Sequence, residues 1–283
     1  MTASFRRFHI VLVGYRLGDT RAAVRFCNSL LSSESLHRRV IVVNHPALAE
    51  LLKEVTKEWE VVLGSNSYGE FSGWQEGLDH LGRDDATVVF VNDTVTTHRF
   101  FSWSRRHAFR RSLGKDVGAS MVGFLDFAPA MFQIQEKAFD RWVSTYCFAL
   151  TAVALERLAH RLFDPSVMES CVPGGIEESG FFQNISPSLE AHLTLLLFRG
   201  GWYASRPLTS DNAKSFQFKA KCVIAEKWLS ARCLSDGIAL RDPFSEQSAW
   251  RWGNKVERRL NWEGQRLGKR IRSAWRSLRV RSK

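Results

Sequence analysis

The sequence predicts an α/β protein with a mainly parallel central sheet flanked by helices. Short apolar runs at His9 to Val13, Val40 to Val43, Glu60 to Leu63 and Ala86 to Val91, rich in β-branched residues, have the length of strands buried on both faces. Segments with apolar residues at helical spacing lie between them, and strands alternating with helices imply βαβ units.

Taken in order, His9 to Val13 is the first strand, and Asp19 caps a helix whose apolar face carries Ala23, Phe26, Leu30 and Leu31. Val40 to Val43 is the second strand. Ala47 to Val55 is a helix with Leu48, Leu51, Leu52 and Val55 on one face, and Glu60 to Leu63 the third strand. Ser72 to Leu81 is a helix that packs Trp74, Leu78 and Leu81. The fourth strand, Val88 to Val91, ends in Asn92-Asp93-Thr94. A carboxylate there sits at the crevice where open α/β sheets bind ligands. Before it, Asn66, Gly69, Phe71, Gly73, Gln75 and Gly77 punctuate a strand-to-helix turn and are expected to let backbone approach a ligand.

After Asp93 the pattern loosens. Arg99 to Lys115 holds six basic residues and no acid, which suits either phosphate or lipid headgroups or a solvated helix face. Ala119 to Leu125 is a strand, and Tyr146 to Leu158 begins as strand and becomes helix. Asp164 to Pro187, with three prolines and Gly174-Gly175, reads as a mobile loop over a site. Ser188 to Phe198 is an apolar helix with Glu190 in its first turn. Glu190 is there either as a helix-dipole residue or as a partner of Asp93 across the crevice.

The chain of 283 residues is 45% hydrophobic, which argues against disorder, yet no run approaches the roughly 18 apolar residues of a membrane span. The first apolar stretch reads as a strand and not an export signal. The five cysteines are widely spaced, with no C-x-x-C pair, and read as reduced thiols of a cytoplasmic protein. Residues 249–283 carry twelve Lys or Arg against two Glu, so ten of the eleven net positive charges lie in the tail. Val256, Leu260, Leu267, Ile271, Trp275 and Leu278 form an apolar stripe there, as in a basic amphipathic helix lying on an anionic membrane surface. A solvated helix packed on its own domain is the plainer reading. Nucleic acid is not an expected partner, because the body adds no basic surplus and no binding motif.

The order of features resembles family-2-type glycosyltransferases of the GT-A fold, found in bacterial O-antigen and capsule assembly. The similarity runs over Ile10 to Tyr15, Val40 to Asn44, Asn66 to Gly77 and Phe90-Val91-Asn92-Asp93, then Leu189-Glu190 and Gly201-Trp202. It implies a GT-A domain over 1–210, and the rest of the chain divides into a helical or irregular extension over 211–248 and the basic amphipathic helix over 249–283. By the same resemblance Asp93 holds a divalent cation, Mg or Mn, on the donor diphosphate, and Glu190 is the base of an inverting transfer. Tyr15 and Asn44 would line the nucleobase pocket. Asn66 and Gly73 would approach ribose or diphosphate, with Arg16 and Asn92 beside them. The partners implied are a nucleotide-sugar donor and a saccharide or lipid-linked acceptor, at the cytoplasmic face of the cell membrane.

Departures from the family pattern are specific. Thr94 stands where a second acid is usual, Arg16 where Asn is, Asn44 where a base-reading Asp is, and His192 where a later Asp is. Arg16 would supply part of the missing positive charge. Two other readings follow from these residues: a catalytically inactive relative acting as a scaffold in polysaccharide assembly, and a different Rossmann-like nucleotide enzyme suggested by Gly14 and Gly18.

Overall fold

A computed structural model describes residues 7–31, 36–98, 103–113, 118–174, 180–199 and 207–244. The strands are β1 (Phe8–Gly14), β2 (Leu36–Val43), β3 (Glu60–Leu63), β4 (Thr87–Asn92), β5 (Ser120–Ile134), β6 (Lys137–Leu150) and β7 (Ala239–Arg241). The helices are α1 (Leu17–Leu30), α2 (Pro46–Val55), α3 (Glu70–Leu81), α4 (Val95–His98), α5 (Trp103–Leu113), α6 (Ala152–Arg157), α7 (Pro165–Cys171), α8 (Pro187–Phe198) and α9 (Ala213–Ser235).

The strands form one sheet of order β3-β2-β1-β4-β6-β5-β7. The β1–β2, β1–β4, β2–β3 and β5–β7 pairs are parallel, while β6 runs antiparallel to both β4 and β5. This is the mixed, mainly parallel and helix-flanked sheet expected of the class. Its apolar strands read as continuous runs because both faces are covered. Val11, Val13, Val40, Val42 and Phe90 point into one core with α3, α8 and α9. Ile10, Leu12, Ile41, Val43, Val89 and Val91 point into the other, with α1, α2 and α5.

Several elements differ from expectation. Asp19 lies in the first turn of α1, and the capping position is Arg16, which makes no side-chain cap. The loop expected over Asp164 to Pro187 contains α7, started by Pro165 and capped by the Asp164 carboxylate, which accepts from Ser166 N–H at 2.9 Å. The strand expected to end at Leu125 continues to Ile134 and turns directly into β6. Within 211–248, α9 and β7 are integral, with α9 covering β6 and β7 pairing along β5. The tail 249–283, the Gly201-Trp202 pair and both ends of the basic Arg99–Lys115 segment lie outside the described residues. All five cysteines are buried as free thiols.

The glycines of α3 answer a packing demand. A Cβ on Gly73 would meet Val13 Cγ2 at 2.8 Å, and one on Gly77 would run into Val11 Cγ1. Bare backbone lets α3 lie directly on β1. Trp74, fully buried on the sheet side of α3 against β4 and β6, meets Phe71 and Phe148 edge-on and donates from Nε1 to the Val91 carbonyl at 3.0 Å. Gly18 in α1 has nothing within 4 Å of an added Cβ. Gly77→Ala is therefore expected to cost about 1–3 kcal/mol by overpacking. Gly18→Ala should be neutral or stabilise by up to about 1 kcal/mol. Urea unfolding of the two variants checks the contrast.

Candidate functional site

The chain leaves β1 toward β2 on one side, and after β3 crosses to β4 on the other. The strand order therefore reverses between β1 and β4, which is where such sheets open a crevice. Asp93 sits at that point and is 1% exposed. Its N–H donates to Val13 O at 3.0 Å. Its Oδ2 accepts from Tyr15 N–H at 2.7 Å and Arg16 N–H at 3.2 Å, with the Thr20 hydroxyl at 3.5 Å. Oδ1 is buried without a hydrogen-bond partner. Burial raises the pKa of the carboxyl, against the pull of the Tyr15 and Arg16 amides. On either side of it, Asn92 Oδ1 accepts from both Thr94 N–H and Thr94 Oγ1, a local turn that fixes the strand exit.

A cavity of about 420 Å³ opens beside this junction. Tyr15, Asn92 and Thr94 form its strand-end wall, and Glu70 comes from the start of α3. Trp142 and Thr145 of β6 face them, and His192 and Leu196 of α8 close one side. The last wall is α9, with Lys219, Glu226 and Lys227.

These groups are electrostatically tense. Lys227 is 2% exposed, with its ammonium 4.0 Å from the Trp142 ring centre and 3.5 Å from Glu226 Oε1. Burial lowers its pKa, with Glu226 and Asp126 opposing. Glu226 is held in turn by Thr145, whose N–H and hydroxyl donate to Oε2 at 3.0 and 2.8 Å. Burial raises the pKa of Glu70, with Lys219 opposing. His192 lies 5.2 Å from the Phe132 ring and 5.8 Å from the Trp142 ring; burial, then Lys227, lowers its pKa. The buried Tyr15 hydroxyl has no hydrogen-bond partner, and burial, then Glu70, raises its pKa.

Of the residues expected at the site, Tyr15 and Asn92 line the cavity and Asp93 lies beneath them, reached by the Arg16 amide. Asn44 is exposed beyond the end of β2, and Gly73 faces Val13 inside α3. Asn66 adopts a left-handed φ of 56° and buries an unpartnered Oδ1, away from the cavity wall. Glu190 is half-buried in the first turn of α8, also off the wall. It stands about 200° around the helix from His192, since each residue turns about 100°. The sequence reading missed the α9 wall. Its signal was Glu226-Lys227, a charged pair inside the apolar stretch from Val223 to Leu229.

Asp93 has little to offer a cation. One of its oxygens is committed to backbone and the other is buried, while Thr94 spends its hydroxyl on Asn92. Among the described residues, no trio of His, Cys, Asp or Glu ligating atoms gathers at the cavity. As folded, Asp93 does not by itself form a Mg or Mn site.

No family model and no curated protein matches the chain. Solved structures with similar layouts include a mannosyltransferase from Pyrobaculum calidifontis in complex with GDP-Man and Mn2+. That likeness covers 83% of this chain and 74% of that one, at 11% identity and a TM-score of 0.40. A CMP:2-keto-3-deoxy-manno-octonic acid synthetase complexed with CTP covers 58% and 81%, at 9% identity and 0.38. A 4-diphosphocytidyl-2C-methyl-D-erythritol synthase from Anaerococcus prevotii covers 80% and 99%, at 11% identity and 0.37.

Because the Asp93 pKa is raised, its contribution to stability is full below the unfolded carboxyl pKa and is lost as pH rises through the folded one. Asp93→Asn keeps an acceptor for the Tyr15 amide and removes the buried charge. It should match or exceed the parent Tm at pH 7. Asp93→Ala, which orphans two amides, should cost about 1–3 kcal/mol. Thermal melts at pH 4 and pH 7 check both.

Proposed function

We propose that the protein is an inverting glycosyltransferase that moves a sugar from a nucleotide-sugar donor to a saccharide or lipid-linked acceptor in bacterial surface polysaccharide synthesis. The observation that carries this reading is Lys227, a buried ammonium on the wall of a polar cavity beside the β1–β4 crevice. Burying a cation is costly unless an anion faces it. Glu226 at 3.5 Å, the Trp142 ring and the charge of Asp126 meet part of that demand, and a donor diphosphate would meet the rest. Lys219 on the same helix adds a second cation on the wall.

In this reading Tyr15, with its unpartnered hydroxyl, and Asn92 hold the nucleoside end. The acceptor oxygen attacks the anomeric carbon as the carbon–oxygen bond to the diphosphate breaks. The leaving diphosphate keeps the electron pair and is held by Lys219 and Lys227. The hydroxyl proton passes to His192, which its lowered pKa keeps neutral at pH 7 and which lines the cavity where Glu190 does not. A divalent cation belongs to the proposal only as a companion of the diphosphate oxygens. The basic stripe of 249–283 supports attachment to an anionic membrane surface, which brings the cavity to lipid-linked acceptors.

A melting panel of UDP, GDP, dTDP and CDP, each with and without Mn2+, tests the reading. At least one should raise the Tm, since a ligand that binds only the folded state stabilises it. Lys227→Met should abolish that rise while keeping or increasing the unliganded Tm. No rise with any nucleotide would remove the proposal. His192→Gln should lower kcat by about 100-fold or more while leaving the nucleotide shift intact, whereas Glu190→Gln should stay within about twofold on the same footing. The acid limb of kcat should lie below pH 6.5, because the lowered imidazole pKa keeps the base free of its proton down to that range. Deleting the residues after Ala249 should release the protein from anionic vesicles without lowering the Tm; undiminished vesicle binding would remove the membrane role.

A further inference from the structure

At the opposite, amino-terminal end of the sheet, three side chains from separate segments converge. His9 lies on β1, His37 on β2 and Asp84 in the turn leading to β4. One ligating atom from each falls within 4.8 Å of the other two. His9 is 1% exposed, and its Nε2 lies 2.8 Å from Asp84 Oδ2. Its Nδ1 is buried and has no hydrogen-bond partner. The His37 ring centre is 5.4 Å from that of His9, and His37 and Asp84 are exposed. Asp84 Oδ1 accepts from Ala86 N–H at 2.9 Å, which fixes the carboxylate in place. The nearby Arg7 guanidinium pairs with Asp85, and its charge also acts on Asp84.

We propose that His9, His37 and Asp84 bind a borderline divalent transition-metal ion of the Zn2+ type. Two imidazoles and a carboxylate match the preferred donors of that ion, and the fourth position is left to water. Donor atoms around a tetrahedral ion with bonds of about 2.0–2.2 Å sit roughly 3.3–3.6 Å apart. The His9–Asp84 edge is shorter than that, and a rotation of the exposed His37 ring closes the wider side. The ion replaces the proton between His9 Nε2 and Asp84, and the neutral ring then carries its single proton on Nδ1. Hard, oxygen-seeking Mg2+ is a poor match for this set.

The site joins β1, β2 and the turn before β4 at the sheet end away from the cavity. Its role is to tie these three segments together, and it stands or falls independently of the reading of the cavity.

Titration of the untagged full chain with Co2+, then Zn2+, tests the assignment. One equivalent of Co2+ should give the intense visible bands of a four- or five-coordinate ion, and Zn2+ should bleach them. Zn2+ should raise the Tm by several degrees, and Mg2+ should not. His37→Gln alters an exposed group and should fold with an unliganded Tm close to the parent, whereas Asp84→Asn removes the carboxylate that meets His9 and should lower it modestly, so Zn2+ binding is read against each variant's own unliganded Tm. Each should weaken Zn2+ binding at least tenfold and leave any nucleotide-induced shift unchanged. A Co2+ spectrum no different from the aquo ion, or variants that bind Zn2+ as the parent does, would overturn the proposal.

Discussion

The junction of β1 and β4 depends on one buried carboxylate. Asp93 reaches from the end of β4 to the two amides that leave β1, so the exits of neighbouring strands are fastened to one acceptor. Both hydrogen bonds are buried where water cannot compete for them, which strengthens the fastening. The position of Tyr15 on the cavity wall and the start of α1 both follow from this fastening. The residue that looked most like a ligand of the substrate is first of all a ligand of the chain.

The first half of the fold was legible because its signals are local. Ile10 to Val13, Val40 to Val43 and Val88 to Val91 are buried on both faces, so a plain apolar run suffices to find them. The same glycines that drew attention before Asp93 were legible as special backbone, but their partner was not. Gly73 and Gly77 lack side chains because Val13 and Val11 lie beneath them, a fact of tertiary packing that resembles ligand approach when read along the chain. The β5–β6 hairpin was harder to see. Its register breaks between Phe127 and Phe132, and the exposed Phe127 and Met131 spoil the alternation that would mark a long strand.

The site was legible only on its strand-end wall. Tyr15 and Asn92 lie close to motifs, whereas Lys227 and Glu226 arrive from a helix more than a hundred residues later. A helix buried around much of its circumference has no clean polar stripe, so α9 gives little sign of which face meets a cavity. Within it, Lys227 is costly to bury and is set against the ring of Trp142. That expense is characteristic of functional positions, where stability is given up for charge placement. His192, reduced in the sequence to a missing aspartate, becomes prominent once α8 is laid against Trp142.

The pairing of β7 with β5 has a consequence for how the chain is assembled. Ser120 meets Ala239, and Met121 meets Leu240, so one edge of the sheet is completed by residues more than a hundred positions downstream. Contacts between such distant positions form slowly, because a long loop must close before they are rewarded. While the chain is still emerging, β5 presents an unpaired edge, and β6 lacks the cover of α9. The βαβ half can be finished before the wall that carries Lys227 exists, which places the completion of the cavity among the last events of folding and leaves β5 open to wrong partners until then.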